Sequence, residues 1–343
     1  MKAIVYSETG DPSVLQLVER PVLEPGPDEV RVRIVVSGVN PTDWKSRRGA
    51  ASGQALPFDE VVPGQDGAGI VEAVGDDVQH VSVGDRVWLA LAAYQRPNSG
   101  SSQEQAVLPA ERVFALPAST SFDQGASMGV PAITAYRALT VAEDGPDQLH
   151  PTALTGRIVL VAGGAGAVGH AAIQLARWAG ATVITTVSGP QKAALATAAG
   201  AHHVFNYTDA DIVDQIRAIA PNGVDQIVEV SPAQNADLDL AVIRNRGSIS
   251  VYANNGGDHV TLDVRRHFAL NVRYQFVLLY TVGIDAIRAA GAAINVALED
   301  GALGIGDETG LPLHRFDLAH TADAHALVES GAVGKVLIDV TAA

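Results

Sequence analysis

The amino-acid sequence predicts an α/β protein in which a doubly wound parallel sheet is combined with a second, mainly β domain. Two observations predict this class. After about Gln124, apolar runs of strand length alternate with alanine-rich helical patterns, whereas the first third carries short apolar alternations broken by glycine and proline. The chain has 343 residues, which is long enough for two domains that each bury a core.

The first third of the chain is predicted to be mainly β. Its apolar alternations are short and are separated by turn dipeptides such as Pro63-Gly64. The predicted strands are Lys2–Tyr6, Glu29–Val36, Gly69–Val74 and Asp85–Ala90. A polar run, Arg96–Gln103, predicts a surface-exposed loop.

The middle of the chain shows the alternation that is typical of βαβ units and a parallel sheet. The predicted strands are Ile158–Ala162, Val183–Val187, His203–Asn206, Gln226–Val230 and Gly247–Val251, and the predicted helices include Val168–Ala179 and Asp209–Ala220. Later elements are a strand at Val272–Leu279, a helix at Gly283–Leu298 and a closing strand at Lys335–Val340. Because the closing strand resembles the first third, the predicted domains are residues 1–125 with 266–343, and residues 126–265.

Composition excludes several classes of function. The chain has no cysteine, so it cannot form a disulfide, an iron–sulfur cluster, a thiolate zinc site or a cysteine nucleophile. A net charge of −15 disfavours binding to nucleic acid and to anionic membranes. The first residues lack the apolar core of a signal peptide, and no stretch has the character of a membrane span. We therefore expect a cytoplasmic protein with neither nucleic acid nor membrane as a partner.

A glycine motif follows the first strand of the parallel sheet. Gly164, Gly166 and Gly169 satisfy G-x-G-x-x-G, with a predicted strand before the motif and a helix after it. In this context the first glycine permits a tight turn, the second lets the backbone approach a pyrophosphate, and the third lets helix and strand pack closely. The phosphates would bind the N–H groups at the helix N-terminus, at Ala167 and Val168. The motif predicts a Rossmann domain that binds a dinucleotide.

The end of the second strand indicates which dinucleotide binds. An acidic residue there would bond the ribose 2′-hydroxyl of NAD, but this chain has Ser188 and Lys192, with Tyr207 just after the third strand. From Gln148 to Thr208 there is no Asp or Glu in 61 residues, which include two arginines and one lysine. A positive pocket fits the 2′-phosphate of NADPH. The alternative is that Ser188 is a turn residue and Lys192 a solvated helix residue.

The chain resembles the zinc-free quinone oxidoreductase branch of the medium-chain dehydrogenase/reductase superfamily, the ζ-crystallin-like group. The resemblance covers nearly the whole chain. It is carried, besides the glycine motif, by Lys2-Ala3-Ile4-Val5, Gly38-Val39-Asn40-Pro41-Thr42-Asp43, Pro63-Gly64-Gln65-Asp66-Gly67-Ala68-Gly69, Gly84-Asp85-Arg86-Val87, the segment from Pro131 to Leu139, and Gly334-Lys335. It implies a Rossmann domain and a mainly β GroES-like catalytic domain.

The resemblance also bears on metal chemistry. Zinc-dependent members of the superfamily carry a cysteine at the position of Asn40 and a His-Glu pair at Gln65-Asp66, so no catalytic zinc is expected here. A carbonyl that is not polarised by a metal is a poor hydride acceptor. Quinones and α,β-unsaturated carbonyls are already electron-poor and need only hydrogen bonds. The expected enzyme is an NADPH-dependent reductase of such acceptors, working in the cleft between its domains.

The resemblance places further residues in this expected site. Asn40, Asp43, Trp44 and Tyr252 are the candidate catalytic residues, with Asp43 and Tyr252 as candidate proton donors and solvent as the alternative. The expected cofactor contacts outside the glycine motif and the 2′-phosphate region are Gly129, Thr134, Tyr252, Asn254, Phe276, Leu278 and Lys335.

Two alternative functions fit the same sequence. A reductase of carrier-bound enoyl substrates would need a basic patch, for which Arg47, Arg48, Arg265 and Arg266 are candidates. A protein that binds NADPH without catalysis is the second alternative. The resemblance also implies a homodimer, formed through the exposed edge of the sixth strand of the nucleotide domain.

Overall fold

The computed structural model describes residues 1–50 and 53–342. The strands are β1 (Lys2–Val5), β2 (Gln16–Glu19), β3 (Glu29–Val39), β4 (Asp66–Val74), β5 (Arg86–Leu89), β6 (Gln105–Pro109), β7 (Val113–Ala115), β8 (Ile158–Ala162), β9 (Thr182–Val187), β10 (His203–Asn206), β11 (Val224–Glu229), β12 (Ile243–Val251), β13 (Arg273–Phe276), β14 (Leu313–Asp317) and β15 (Lys335–Asp339). The helices are α1 (Pro41–Arg48), α2 (Phe122–Leu139), α3 (Ala167–Trp178), α4 (Pro190–Ala198), α5 (Ile212–Ile219), α6 (Pro232–Val242), α7 (Val264–Ala269), α8 (Ile284–Glu299) and α9 (Thr321–Glu329).

The first compact unit comprises Met1–Val130 and Pro312–Ala343 and is mainly β. Its large sheet has the order β14-β15-β3-β4-β5-β7, with β6 also paired to β3. Strand β3 alternates between its two faces, so that Val30, Val32 and Ile34 all enter one fully buried apolar core. The closing strand β15 pairs antiparallel with β3, which returns the C-terminal segment to this unit as predicted.

The second unit, Pro131–Leu311, is built on a parallel sheet with the order β10-β9-β8-β11-β12-β13. All of its strand pairs are parallel. Counted within the sheet this order is 3-2-1-4-5-6, the doubly wound order of a Rossmann domain, in which the direction of winding reverses beside the first strand. The predicted fold class is confirmed.

The division of the chain differs from the prediction at its second boundary. The first boundary, Val130/Pro131, lies close to the predicted position, but the second unit continues to Leu311, well past residue 265. The reason is that β13 pairs with β12 and extends the parallel sheet by one strand. A mixed sequence pattern after Tyr252 did not distinguish this strand from those of the mainly β unit.

The prediction of a surface-exposed loop at Arg96–Gln103 is wrong for its second half. Ser101 and Gln103 are at most 1% exposed, although both are polar. Ser101 Oγ donates to the backbone carbonyl of Asp66 at 2.5 Å, and Gln103 Nε2 donates to the carbonyl of Gly100 at 2.8 Å. Since these hydrogen bonds replace water, the loop packs beside the start of β4.

Candidate functional site

The glycine motif forms the turn from β8 to α3. The left-handed backbone conformation is at Gly163, with φ +71°, so the tight turn lies one residue before the predicted Gly164. Gly164 is required for packing instead, because a Cβ atom there would lie 2.2 Å from Thr185 Oγ1 on β9. The predicted motif is therefore present, with different roles for its first residues.

Of the two remaining glycines, Gly166 leaves open space beside the turn, whereas Gly169 allows the helix to pack closely against it. A Cβ on Gly166 would meet nothing closer than the Gly163 carbonyl oxygen at 3.5 Å, whereas a Cβ on Gly169 would lie 2.3 Å from the same oxygen. The N-cap residue Gly166 has no side chain that could accept a hydrogen bond, so the N–H groups of Ala167 and Val168 at the start of α3 have no side-chain cap. This open, uncapped helix N-terminus fits the pyrophosphate of a dinucleotide.

The candidates for 2′-phosphate binding lie at neighbouring strand ends. Residues Val187 and Asn206 are paired across β9 and β10, and Tyr207 N donates to Val187 O at 3.1 Å. Ser188 and Tyr207 therefore follow adjacent strands at one edge of the sheet. Lys192 lies in the first turn of α4, and within the described ranges neither its ammonium nor the Ser188 hydroxyl has a partner.

Two cations of the acid-free segment are already committed to other partners. Arg157 lies 3.4 Å from the carboxylates of Asp144 and Asp225, which lie outside the segment on either side. Arg177 donates to the carbonyl of Gly200 at 2.7 Å. Of the three cations counted in residues 148–208, Lys192 is thus the one whose side chain has no partner in the described part of the structure.

A second constellation lies in the mainly β unit and is produced by the sheet register. Strand β4 pairs Asp66 with Gly38 of β3, and β15 pairs Val336 with Val39. Asn40 follows β3 directly and Lys335 precedes Val336, so Asn40, Asp66 and Lys335 meet at one end of three adjacent strands. None of these side chains is more than 2% exposed.

Hydrogen bonds connect the three side chains. Asn40 Nδ2 donates to Asp66 Oδ2 at 2.7 Å, and Lys335 Nζ donates to Asn40 Oδ1 at 2.9 Å and lies 3.3 Å from Asp66 Oδ2. Asp66 Oδ1 accepts from Val130 N at 2.8 Å, and a Cβ on Gly129 would lie 2.1 Å from that oxygen. Gly129 therefore leaves space for Asp66. We call Asn40, Asp66 and Lys335 the polar triad.

Asp43 lies beside this triad in the first turn of α1. Its carboxylate accepts from Asn40 N at 2.7 Å and from Gln65 N at 3.1 Å. Burial raises the pKa of Asp43 to about 7; the Asp66 carboxylate also raises it, while the two N–H donors and the Lys335 ammonium lower it. The group therefore changes protonation in the neutral range.

Comparison with known proteins fits these features. The model of the alcohol dehydrogenase GroES-like domain matches residues 26–118, and that of the zinc-binding dehydrogenase matches residues 167–295. Human quinone oxidoreductase is 31% identical over 98% of this chain and 97% of its own length. The chain belongs to the quinone oxidoreductase branch of the medium-chain dehydrogenase/reductase superfamily. The predicted family and the prediction of an enzyme, quinone reductase-like in kind, are confirmed.

Solved structures agree with this assignment. An NAD-dependent alcohol dehydrogenase superposes with a TM-score of 0.84 at 28% identity, covering 99% of this chain and 100% of the other. A mycobacterial protein solved in complex with NADPH gives a TM-score of 0.80 at 30% identity, covering 98% and 99%. This quinone oxidoreductase relative is accordingly an NAD(P)-dependent oxidoreductase.

The side chains at the expected metal position are not suited to bind zinc, although one matching family model is that of a zinc-binding dehydrogenase. Asn40, Gln65 and Asp66 occupy the positions assigned to the metal ligands, and two of them already bind the Lys335 ammonium. Two amides and a single carboxylate beside a fixed cation are a poor donor set for Zn²⁺. Residues 1–50 and 53–342 contain no group of three or more His, Asp or Glu side chains that could hold a metal.

Tyr252 and Asn254 follow β12 at the carboxyl edge of the parallel sheet. Tyr252 N donates to the Glu229 carbonyl at 3.1 Å, and burial, with a smaller contribution from the Glu229 charge, raises the pKa of the Tyr252 phenol above its usual range. Asn254 is exposed, and its Nδ2 donates to Asp258 Oδ1. The predicted roles of both residues stay predictions.

A buried acid pair beneath this edge was not predicted. Glu229 ends β11 and accepts hydrogen bonds from Ser231 N and Asn235 Nδ2, and its neighbour Asp239 lies on α6. Burial raises the pKa of both carboxyls and, together with the Glu229 charge, raises that of Asp239 well above its usual range. No sequence pattern pointed to this pair, because Glu229 and Asp239 lie on different elements and meet only in the folded chain.

The other predicted site residues have varied surroundings. Trp44 on α1 has two basic side chains of the same helix 5.9 Å from its ring centre, and Thr134 is buried in α2. Phe276 and Leu278 are 66% and 59% exposed at the outer edge of the parallel sheet. Lys335, expected beside the cofactor, has Asn40 and Asp66 as its partners.

No helix in the described part of the chain is both long and apolar enough to cross a membrane.

Proposed function

We propose that this chain is an NADPH-dependent, zinc-independent reductase of quinones or α,β-unsaturated carbonyls. The observation that carries the proposal is the polar triad, in which the Lys335 ammonium lies among the side chains that would otherwise hold a metal. The reaction therefore has to rely on hydrogen bonds for polarising its acceptor. Electron-poor acceptors meet this requirement, because their conjugated oxygen accepts the developing charge.

NADPH is the proposed cofactor. The uncapped N-terminus of α3 would hold its pyrophosphate, and Ser188, Lys192 and Tyr207 would contact the 2′-phosphate. When bound, NADPH supplies a hydride from C4 of its nicotinamide ring. With a quinone, one hydride and one proton give the hydroquinone and NADP⁺.

The proton has two candidate donors on this chain. Asp43 carries a proton for part of the neutral range, whereas Tyr252, whose pKa is raised above its usual range, stays protonated throughout it. Asn40 is the proposed hydrogen-bond donor to the acceptor, and Trp44 an apolar wall beside it. Solvent remains the alternative proton source.

The basic patch required by the carrier-bound alternative receives little support. Arg47 is 0% exposed and forms an ion pair with Glu329, which also binds Arg48 at 2.6 Å. Arg48, Arg265 and Arg266 are exposed, but Arg48 is paired with Glu329 and Arg266 lies 3.8 Å from the Asp237 carboxylate. A small-molecule acceptor is therefore favoured over a substrate on a phosphopantetheine arm.

A second copy of this chain is the proposed partner. Strand β13 is one of the two edge strands of the parallel sheet, the other being β10, and Val264, Phe268, Phe276 and Leu278 around β13 are all more than half exposed. An open strand edge flanked by apolar side chains is suited to pairing with its own copy about a two-fold axis. A cytoplasmic location is also proposed, because the reaction depends on a supply of reduced cofactor.

An acceptor screen tests the proposal. Purified protein is assayed for NADPH and NADH oxidation with a panel of quinones and enones, with and without a chelator. We expect turnover with NADPH, weaker turnover with NADH, and no effect of the chelator. Tight NADPH binding without turnover of any acceptor would favour the non-catalytic alternative, and loss of activity on chelation would contradict zinc independence.

A further inference from the structure

The side-chain amide of Asn40 lies between two opposite charges. Its nitrogen donates to the Asp66 carboxylate, and its oxygen accepts from the Lys335 ammonium, at 2.7 and 2.9 Å. Turning the amide over would place its NH₂ group against the ammonium and its oxygen against the carboxylate. Both contacts would be repulsive, so the two charges fix one orientation of the amide.

The surrounding backbone holds both charged groups in place. Asp66 Oδ1 accepts from Val130 N, which leaves Oδ2 for Asn40 and Lys335. A Cβ on Gly38 would lie 3.0 Å from Lys335 Cε and 2.0 Å from the Ala126 carbonyl, so this glycine clears the path of the lysine stem. The polar triad is thus enclosed on several sides by β3, β4 and α2.

A buried ion pair of this kind is a poor device for stability. Removing two charges from water costs several kcal/mol per ion, and buried pairs can often be replaced by apolar residues without loss of stability. Stability therefore does not explain why this ion pair is buried. The pair would be explained if it orients the Asn40 amide toward a ligand.

One of the two N–H groups of the Asn40 amide has no acceptor among the described residues. Asn40 Nδ2 carries two hydrogens, and among the described residues only Asp66 accepts one of them. A buried N–H group without an acceptor is rare in proteins and indicates a ligand or water that completes it. The fixed orientation determines the direction in which this N–H points.

We propose that Lys335 and Asp66 are positioning residues that act through Asn40. The inference rests on the proposed function. The ammonium pulls electron density toward Asn40 Oδ1, which makes the remaining Nδ2–H a stronger donor to the acceptor oxygen as hydride arrives. The triad thereby presents one oriented N–H donor at the position where the resemblance places the metal of zinc-dependent relatives. Lys335 has no contact with the cofactor phosphates in this assignment.

Three variants separate positioning from structural support. K335M leaves the Asp66 charge buried and unpaired, so a large loss of thermal stability is expected. D66N/K335M removes both charges and should recover most of that stability. In the double variant Asn40 can turn its amide over, because neither neighbour carries a charge. R47M, which removes another fully buried cation of the same unit, is the matched control.

The Kd of NADPH, the kcat and the hydrogen exchange of the Asn40 amide are expected to respond differently. The Kd of NADPH, measured by fluorescence, stays unchanged in all variants, whereas kcat at saturating cofactor falls about tenfold or more in K335M and in the double variant. R47M loses stability but keeps its kcat. Independently of activity, the Asn40 side-chain amide resonance, assigned by its absence in N40D, shows slow hydrogen exchange in the wild type and faster exchange in the double variant.

Several outcomes would overturn the inference. A double variant that recovers kcat together with stability would show that the triad is structural. A raised Kd for NADPH with unchanged kcat would return Lys335 to a cofactor-binding role. If K335M does not fold, the double variant alone decides between these outcomes. Absence of turnover in the wild-type protein would instead contradict the proposed function, and the amide resonance would still test the orientation of Asn40.

Discussion

At the scale of single residues, Lys192 carries the proposed preference for NADPH. Arg157 pairs with two carboxylates and Arg177 donates to a backbone carbonyl, so Lys192 is the cation of residues 148–208 whose side chain has no partner among the residues that the structure describes. A hydrogen bond to a charged group contributes about 1.5–3 kcal/mol, which corresponds to about tenfold or more in affinity. We predict that K192A raises the KM for NADPH by about that factor and leaves the KM for NADH unchanged.

The control for this prediction is K2A, which removes an exposed lysine of the other unit. It should change neither KM. If K192A raises the KM for NADPH and the KM for NADH equally, Lys192 does not bind the 2′-phosphate. Lys192 would then be a solvated helix residue.

Asp43 gives a second prediction at this scale. Because burial raises the pKa of Asp43 to about 7, its proton is present below neutral pH and is lost above it. If that proton reaches the product, kcat falls as the pH rises through about 7. D43N keeps an acceptor for one of the two backbone N–H groups and does not titrate. A pH profile of kcat should therefore lose its inflection in D43N; an unaltered inflection would assign it to another group.

At the scale of elements, α3 is anchored by His170 to the segment that precedes the end of its unit. His170 Nε2 donates to the Thr309 carbonyl at 2.8 Å, and one turn later Gln174 Nε2 donates to Gly304 O at 3.2 Å. These bonds hold the helix whose N-terminus would receive the cofactor pyrophosphate. Burial lowers the pKa of His170 from 6.5 to about 4, so the ring is neutral at neutral pH.

This anchor predicts acid sensitivity. In the unfolded chain His170 takes up a proton near pH 6.5, but in the folded protein only near pH 4, so the free energy of unfolding decreases as the pH falls between these values. The contribution is about 3 kcal/mol. H170Q retains a side-chain N–H donor without titrating. Denaturant unfolding from pH 7 to pH 4 should show a shallower loss of stability in H170Q; parallel curves would contradict the prediction.

At the scale of the whole molecule, the open edge at β13 predicts the oligomeric state. We expect a dimer for the wild type and a monomer for F276K, because a charge placed at this edge opposes burial against a second copy. V83K is the matched control, since Val83 is 63% exposed in the other unit. Light scattering after gel filtration measures the mass. A monomeric wild type would contradict the proposed dimer, and a changed Kd for NADPH in F276K would support its predicted cofactor contact.

Much of the fold could be predicted because its signals are local. The strands of the parallel sheet were predicted within a few residues, since short apolar runs between glycine turns and alanine-rich helices have few other interpretations. The edge strand β13 was identified but placed in the other domain. Its neighbour β12 determines its sheet, and pairing between strands is not encoded in either strand alone.

Some features of the candidate site could likewise be predicted from the sequence, and others could not. Residue types at fixed spacings were enough to identify the glycine motif, the family and the absence of a thiolate metal site. The partners of Lys335 were decided only by the tertiary structure. Lys335 lies 295 residues after Asn40, and they meet because β15 pairs with β3 in a register that aligns Val336 with Val39. Arg157 likewise pairs with Asp144 and Asp225, which lie outside the segment 148–208 in the sequence but close to Arg157 in space.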